Sequence, residues 1–166
     1  MVEAIPRSVA LALGSNMGDR LDHLRAAVRA AAEYVHITAI SSVYETAAAY
    51  VTDQPSFLNA ALLGTTVIEP LALLWSLKAA ESAIGRQPTF RYGPRVIDID
   101  ILFYGETVLS SPELTIPHPR MAERDFVLRP LCDIASSWQH PQKQQNVEEM
   151  LSLLPDKGMT CLGQIL

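Results

Sequence analysis

The apolar positions of this chain follow two rhythms. Residues 8–16, SVALALGSN, form a short apolar run ending in a glycine turn, the pattern of a buried strand. Residues 18–35 carry Leu21, Leu24, Val28 and Ala32 at helical spacing in an alanine-rich background. Residues 36–46, HITAISSVYET, alternate, which predicts a strand with Ile37, Ala39, Ser41 and Val43 on one side. Another strand is predicted over 56–67, SFLNAALLGTTV. Residues 69–85 predict a helix, with Pro70 in its first turn and Gly85 at its C-terminal cap. A loop over 87–94, QPTFRYGP, then leads to the strand RVIDIDILFYG at 95–105.

Strand, helix, strand, strand, helix, strand is the order of the split βαβ, ferredoxin-like arrangement. The expected fold is α+β, a four-stranded antiparallel sheet with helices packed on it, over about residues 8–104. The rest, about 105–166, is expected to add a small hairpin, a turn with a short helix, and a last amphipathic helix at 146–154, all within one domain.

Composition narrows the classes. With 49% hydrophobic and 19% charged residues, disorder over most of the chain is excluded. No apolar run reaches the roughly 20 residues that span a bilayer. The first residues place Glu3 and Pro6 where a secretory signal carries positive charge, so a cytoplasmic protein is expected. Cys132 and Cys161 lie far apart without a CxxC spacing, and ordinary thiols are expected. A net charge of −5 argues against nonspecific nucleic-acid binding. Arginine nevertheless supplies ten of the thirteen basic residues, and six of those ten fall between Arg86 and Arg129, where there is no lysine. Arginine without lysine suits fixed, bidentate recognition of phosphate.

The candidate chemistry centres on Asp98 and Asp100. Two residues apart on a strand, they share one face while Ile97, Ile99 and Ile101 take the other. Their backbones lie roughly 7 Å apart, so both carboxylates can converge on one or two cations. Left unpaired in an apolar strand, each costs several kcal/mol. A hard ion such as Mg²⁺ commonly takes one or two carboxylates plus substrate phosphates, and Arg86, Arg91 and Arg95 stand just upstream to meet such phosphates. Two solvated aspartates on an exposed strand face are the plainer alternative. Further along, Phe57 and Asn59 share a strand face, so a ring and a carboxamide could stack on a flat heterocycle and read its edge. His118, Arg120, Arg124 and Phe126 cluster after a rigid His-between-prolines segment; His118 is expected in an exposed loop. The turn at 14–19, GSNMGD, lacks the lysine of a P-loop, and reads as a helix N-cap through Asn16 or Asp19.

Taken in order, LGSNMGD, YET, TDQPSFLNA, ESAIGR, RYGPRVIDIDILFYG and IPHPRMAERDFVLRPL resemble the 6-hydroxymethyl-7,8-dihydropterin pyrophosphokinases of folate biosynthesis, over about residues 11–135. The resemblance implies transfer of pyrophosphate from ATP to the pterin hydroxymethyl group with release of AMP. It implies two Mg²⁺ ions on Asp98 and Asp100, and catalytic roles for these and for Arg86 and Arg95. ATP contacts are implied at Glu81, Arg86, Arg91, Arg95, Ile101, His118 and Arg124, and pterin contacts at Thr46, Phe57, Asn59, Asp98 and Phe126. The 87–92 loop matches one that closes over the reactants. A monomer is expected, with association to other folate-pathway enzymes open.

Three departures stand out. Where the family usually has one or two prolines and often a glycine, this chain has AAAY at 47–50, which is expected to make the pterin-side loop more mobile. The closing loop has no extra basic residue between Arg86 and Arg91, and Pro119 replaces an aromatic that often follows the histidine. Two rival readings are an RNA-binding module on the same fold, which needs exposed sheet aromatics and a basic surface, and a noncatalytic ligand-binding domain, which leaves the arginine-rich loop unexplained.

Overall fold

The computed structural model describes residues 4–166. The central strand β1 (Arg7–Ser15) lies between β4 (Phe57–Thr66) and β5 (Asp98–Tyr104), antiparallel to both. Helix α1 (Arg20–Ala31) and helix α2 (Pro70–Ile84) cover one face of this sheet. Asp19 caps α1 by accepting from the Asp22 N–H at 3.1 Å. Pro70 opens α2 and Gly85 closes it at φ 126°, where a side chain would be strained.

The predicted strand over 36–46 is two strands along one edge of β4: β2 (His36–Ile40) and β3 (Ser42–Thr46). Simple alternation fails twice. A register shift leaves Thr38 without an opposite residue, and at Ser41 the backbone N–H still donates to Ala61 O at 2.9 Å while its Oγ takes the Ala61 N–H at 2.8 Å and donates to Ser42 O at 2.8 Å. As a result Ile37, Ile40 and Val43 pack toward the helix core, not the set Ile37, Ala39, Ser41 and Val43.

Beyond the predicted four-strand core, the sheet gains β8 (Thr160–Gln164), paired antiparallel to β3. The hairpin expected after residue 105 is present as β6 (Leu109–Ser110) and β7 (Thr115–Ile116). Helices α3 (Asp125–Ala135) and α4 (Val147–Ser152) pack on the second face of the sheet, so the C-terminal third covers a face as well as an edge. Asn146 and Glu149 form a reciprocal capping box on α4.

Strand β1 explains how this second face is divided. Val9, Leu11 and Leu13 point into the α1/α2 core, and Ala10, Ala12 and Gly14 face the other way. Across the sheet these small residues sit in rows: Asp98, Gly14 and Asn59 form one, and Asp100, Ala12 and Ala61 the next. Leu102 is an extra residue in β5, which switches the strand's alternation and sends Phe103 under α3 beside Ala10. Phe103 stacks on Trp138 with ring centroids 4.9 Å apart. Thus α3 covers the apolar end of this face and leaves the Asp98–Gly14–Asn59 end open.

Gly64 lets the chain at Val35 and His36 pass close over β4. A Cβ there would stand 2.5 Å from the His36 carbonyl oxygen and 2.6 Å from Val35 Cγ1. Gly64→Ala is expected to cost about 1–3 kcal/mol of unfolding free energy, read by urea denaturation; an unchanged midpoint would mean that β2 is not held against β4 as described.

Candidate active site

The open end of the sheet carries a cavity of about 280 Å³. Its floor is Gly14, where a Cβ would come within 3.2 Å of Asn59 Oδ1 and 3.8 Å of the Phe57 ring. Phe57, Asn59, Thr46 and Phe126 line it together with Arg91, Arg95 and Arg124. Asn59 is buried and donates from Nδ2 to Thr46 Oγ1 at 2.9 Å, which fixes the orientation of its amide. A flat, polar-edged molecule would find two rings and one fixed amide edge here.

Along the same row stands Asp98. Arg86 Nη1 donates to its Oδ1 at 2.6 Å and Arg95 Nη1 to its Oδ2 at 3.1 Å, while Lys78 Nζ lies 3.9 Å away. Burial works against ionisation of Asp98, but Lys78, Arg86 and Arg95 outweigh it and hold the carboxyl down at about 2. Asp100 behaves oppositely. Burial first, and then the charge of Asp98, push it up to about 8. The pair therefore holds one fixed carboxylate and one that lacks a cationic partner of its own.

Beneath them Glu81, 3% exposed, accepts from the Ile99 N–H at 2.6 Å and from Lys78 Nζ at 3.3 Å. Burial raises its carboxyl, and the charge of Lys78 opposes the rise. Gly85 turns the chain at the end of α2 so that Arg86 reaches back across Glu81 to Asp98. Arg95 is steadied by the Gly93 carbonyl, to which Nε and Nη2 donate at 3.1 and 3.0 Å. Gly93 has no room for a Cβ, which would stand 2.8 Å from the Phe90 carbonyl oxygen and 2.6 Å from Thr89 Oγ1.

Three segments are pinned at their bases. Asn16, 1% exposed, donates from Nδ2 to Gln54 Oε1 at 2.9 Å and to Pro55 O at 3.0 Å, and its Oδ1 accepts from Arg95 N–H at 2.8 Å. Gln54 Nε2 in turn donates to Val51 O and Tyr92 O, both at 2.7 Å. Asn16 is therefore a clip between loops, and Asp19 alone caps α1. The loop at 47–50, expected to be loosened by its alanines, is tied down by Tyr50, whose ring stacks on Tyr92.

Most of the residues singled out from sequence meet at this end of the molecule. Thr46, Phe57, Asn59, Arg91, Arg95, Arg124 and Phe126 line the cavity, and Arg86, Asp98 and Asp100 adjoin it. His118 is half-buried instead of exposed; its Nδ1 accepts from Arg120 N–H at 3.2 Å. Burial, followed by the Arg124 charge, depresses it to about 4, so the ring is neutral at pH 7 with its proton on Nε2. The Ile101 side chain does not reach the cavity: alternation buries it at 3% exposure in the α1/α2 core, so only its backbone is available to a ligand. Sequence reading took Gly14 only as part of a turn and Tyr50 only as part of the AAAY departure, and it passed over Gln54 and Lys78. The Lys78–Glu81 spacing was a signal for the last; nothing local marked Gln54.

A ferredoxin-like α+β sheet thus carries a paired-carboxylate, arginine-rich cleft beside an aromatic cavity, an arrangement suited to phosphates at one end and a flat ring at the other. The chain belongs to the 7,8-dihydro-6-hydroxymethylpterin-pyrophosphokinase family, whose family model matches residues 10–136. It is 39% identical over 158 residues to the 2-amino-4-hydroxy-6-hydroxymethyldihydropteridine pyrophosphokinase of Aquifex aeolicus, covering 95% of this chain and 99% of that protein. It is 48% identical over 134 residues to the mitochondrial folate synthesis bifunctional protein of Pisum sativum, covering 80% of this chain. The match spans about a quarter (26%) of that longer relative. Among solved structures, Plasmodium falciparum HPPK-DHPS superimposes with a TM-score of 0.73 at 16% identity, covering 91% of this chain and 45% of that one, which shows the shared fold.

The raised Asp100 carboxyl sets a pH dependence. Stability that it supports is fully present below the unfolded carboxylate value near 4 and is lost as pH rises toward about 8. Asp100→Asn is accordingly expected to be more stable than the parent without divalent cations at pH 9, with the gain shrinking at pH 4. Thermal denaturation at both pH values checks this, and equal melting temperatures at pH 9 would contradict it.

Proposed function

We propose that this chain transfers pyrophosphate from ATP to the hydroxymethyl group of 6-hydroxymethyl-7,8-dihydropterin. The hydroxymethyl oxygen forms a bond to the β-phosphorus and gives up its proton to water, the bond from that phosphorus to the α–β bridging oxygen breaks, and AMP leaves. The observation that carries this reading is the single sheet row in which Asn59, Gly14 and Asp98 stand side by side. It joins a cavity suited to a pterin to a cluster suited to phosphates, with no side chain on Gly14 between them.

Each residue group has a role in this reading. Phe57 and Phe126 hold the pterin by its faces and Asn59 reads its edge. Arg86, Arg91, Arg95 and Arg124 bind phosphate oxygens, and His118 donates from Nε2 to another. Glu81 supports the ATP site from below through Lys78, Arg86 and Ile99 N–H. Asp98 and Asp100 would hold Mg²⁺. The donor set fits: both are hard oxygen ligands on one face, and Asp100 lacks a cation of its own. Among the described residues no group of three or more metal-ligating side chains is gathered, so further ligands would come from phosphate and water, as Mg²⁺ prefers. Bound there, Mg²⁺ supplies neutralisation of the charge on the transferred group. Among the described residues that line the cavity there is no carboxylate, histidine or lysine, and orientation by the two rings and the arginines carries much of the acceleration.

The RNA-binding alternative is disfavoured by α3, which covers the sheet face that such a module would expose.

Incubation with ATP, Mg²⁺ and the dihydropterin should give AMP in step with pyrophosphorylated pterin; ADP in its place would refute the transfer proposed. Asp98→Asn should lower turnover on the order of 100-fold or more while circular dichroism stays native, and near-parental rates would remove Asp98 from the site. Phe57→Ala should weaken pterin binding roughly tenfold to a hundredfold with little effect on ATP, as titration calorimetry with each ligand would read. Equal losses for both ligands would count against stacking.

A further inference from the structure

Tyr50 and Tyr92 belong to different loops, 47–56 and 85–97, yet their rings stack with centroids 4.4 Å apart and planes 23° from parallel. Both line the cavity that holds Phe57 and Phe126. Both also take positive φ values, 64° and 59°, a conformation that aromatic side chains rarely adopt. Specific contacts hold them there. The Tyr50 hydroxyl donates to Glu123 Oε1 at 2.9 Å and accepts from Arg124 Nε at 3.2 Å. The Arg120 guanidinium lies 5.4 Å from the Tyr50 ring centre and 5.3 Å from that of Tyr92, bracing both at once.

Below this stack, Gln54 already joins the two loops at the backbone through Tyr92 O and Val51 O. Above it, Ala47, Ala48 and Ala49 have no side chain long enough to cross to the other loop. Tyr50 therefore makes the upper bridge, and 47% of its surface stays open to solvent, so the bridge can part without unpacking the core.

We propose that Tyr50 is a positioning residue: its stack on Tyr92 joins the two loops into one roof over the aromatic cavity, which slows escape of the bound pterin. The proposal rests on the pterin-binding reading above. The roof moves as a unit because the loops share a polar pin at the base and an aromatic contact at the top. Arg124 and Arg120 brace the roof from the chain segment that leads into α3, so the roof is also attached to the cavity's Phe126 wall.

Tyr50→Gly is the informative variant, since glycine accepts the positive φ without strain while the ring and its hydroxyl are removed. Tyr50→Phe keeps the ring and loses the hydroxyl. Hydrogen exchange of residues 87–95 would be followed without any ligand. Dissociation of 6-hydroxymethyl-7,8-dihydropterin would be followed by stopped-flow fluorescence with Mg²⁺ and α,β-methylene-ATP. Tyr50→Gly is expected to speed exchange at 87–95 and to speed pterin dissociation roughly three- to tenfold, the scale of a lost aromatic pair. Tyr50→Phe is expected to stay close to the parent in both. Tyr50→Gly combined with Tyr92→Gly should be no worse than the more severe single change, because both remove the same contact and glycine fits both positive φ values. Unchanged exchange, unchanged dissociation, or additive effects would each overturn the proposal. A parental chain that bound no pterin would sink the activity reading instead, while the exchange data would still decide whether Tyr50 joins the loops.

Discussion

Two carboxylates on one face of an apolar strand are the constraint around which this molecule is arranged. Asp98 draws three cations, from Lys78 on α2, Arg86 just past its end and Arg95 in the loop before β5. Asp100, one row further in, draws none of its own. Glu81 lies below and secures the strand through Ile99 N–H. Burial, followed by the charge of Asp98, therefore raises the Asp100 carboxyl, and Lys78 offsets only part of that rise. A structure built for stability alone would have put an amide or an apolar side chain there. In the function proposed above, an under-compensated acid at an open sheet end leaves a place for Mg²⁺.

The division of large and small residues on β1 gives that arrangement room. Val9, Leu11 and Leu13 fill the α1/α2 core, and Ala10, Ala12 and Gly14 thin the opposite face step by step toward the site. The thinning lets α3 approach the sheet at one end and leaves a cavity at the other. Packing and function are thus set by the same alternation, read on its two sides.

Much of this was legible because strand and helix periodicities are local. The IDIDI run separated carboxylates from isoleucines correctly, and Pro70 with Gly85 bounded α2 where the structure does. What escaped sequence reading depended on distant partners. The break at Ser41 exists because its hydroxyl captures Ala61 N–H twenty positions away, and β8, with its exposed and glycine-containing pattern, is a strand only because β3 offers an edge. Asn16 looked like a helix cap, since its real partners, Gln54, Pro55 and Arg95, lie 38 to 79 residues downstream. Ile101 carries the same lesson in reverse: a family correspondence places it at the site, and alternation places its side chain in the core.

The loops around the cavity are stiff in a graded way, and the gradient follows from chemistry. At the base, Asn16 is almost wholly shielded, so breaking its amide bonds would leave polar groups unpaired at a cost of about 1–3 kcal/mol each. At the top, the Tyr50–Tyr92 contact is open to water, which can take over the hydroxyl bonds and part of the cation contacts when the rings separate. Base pins of that strength keep Arg95 and Asp98 in register whether or not the upper loops are apart. The charged cluster can then stay preorganised while the aromatic end opens to admit a flat ligand. The alanines at 47–49, which by themselves suggest a slack loop, are compatible with this because the ring that follows them supplies the contact they lack.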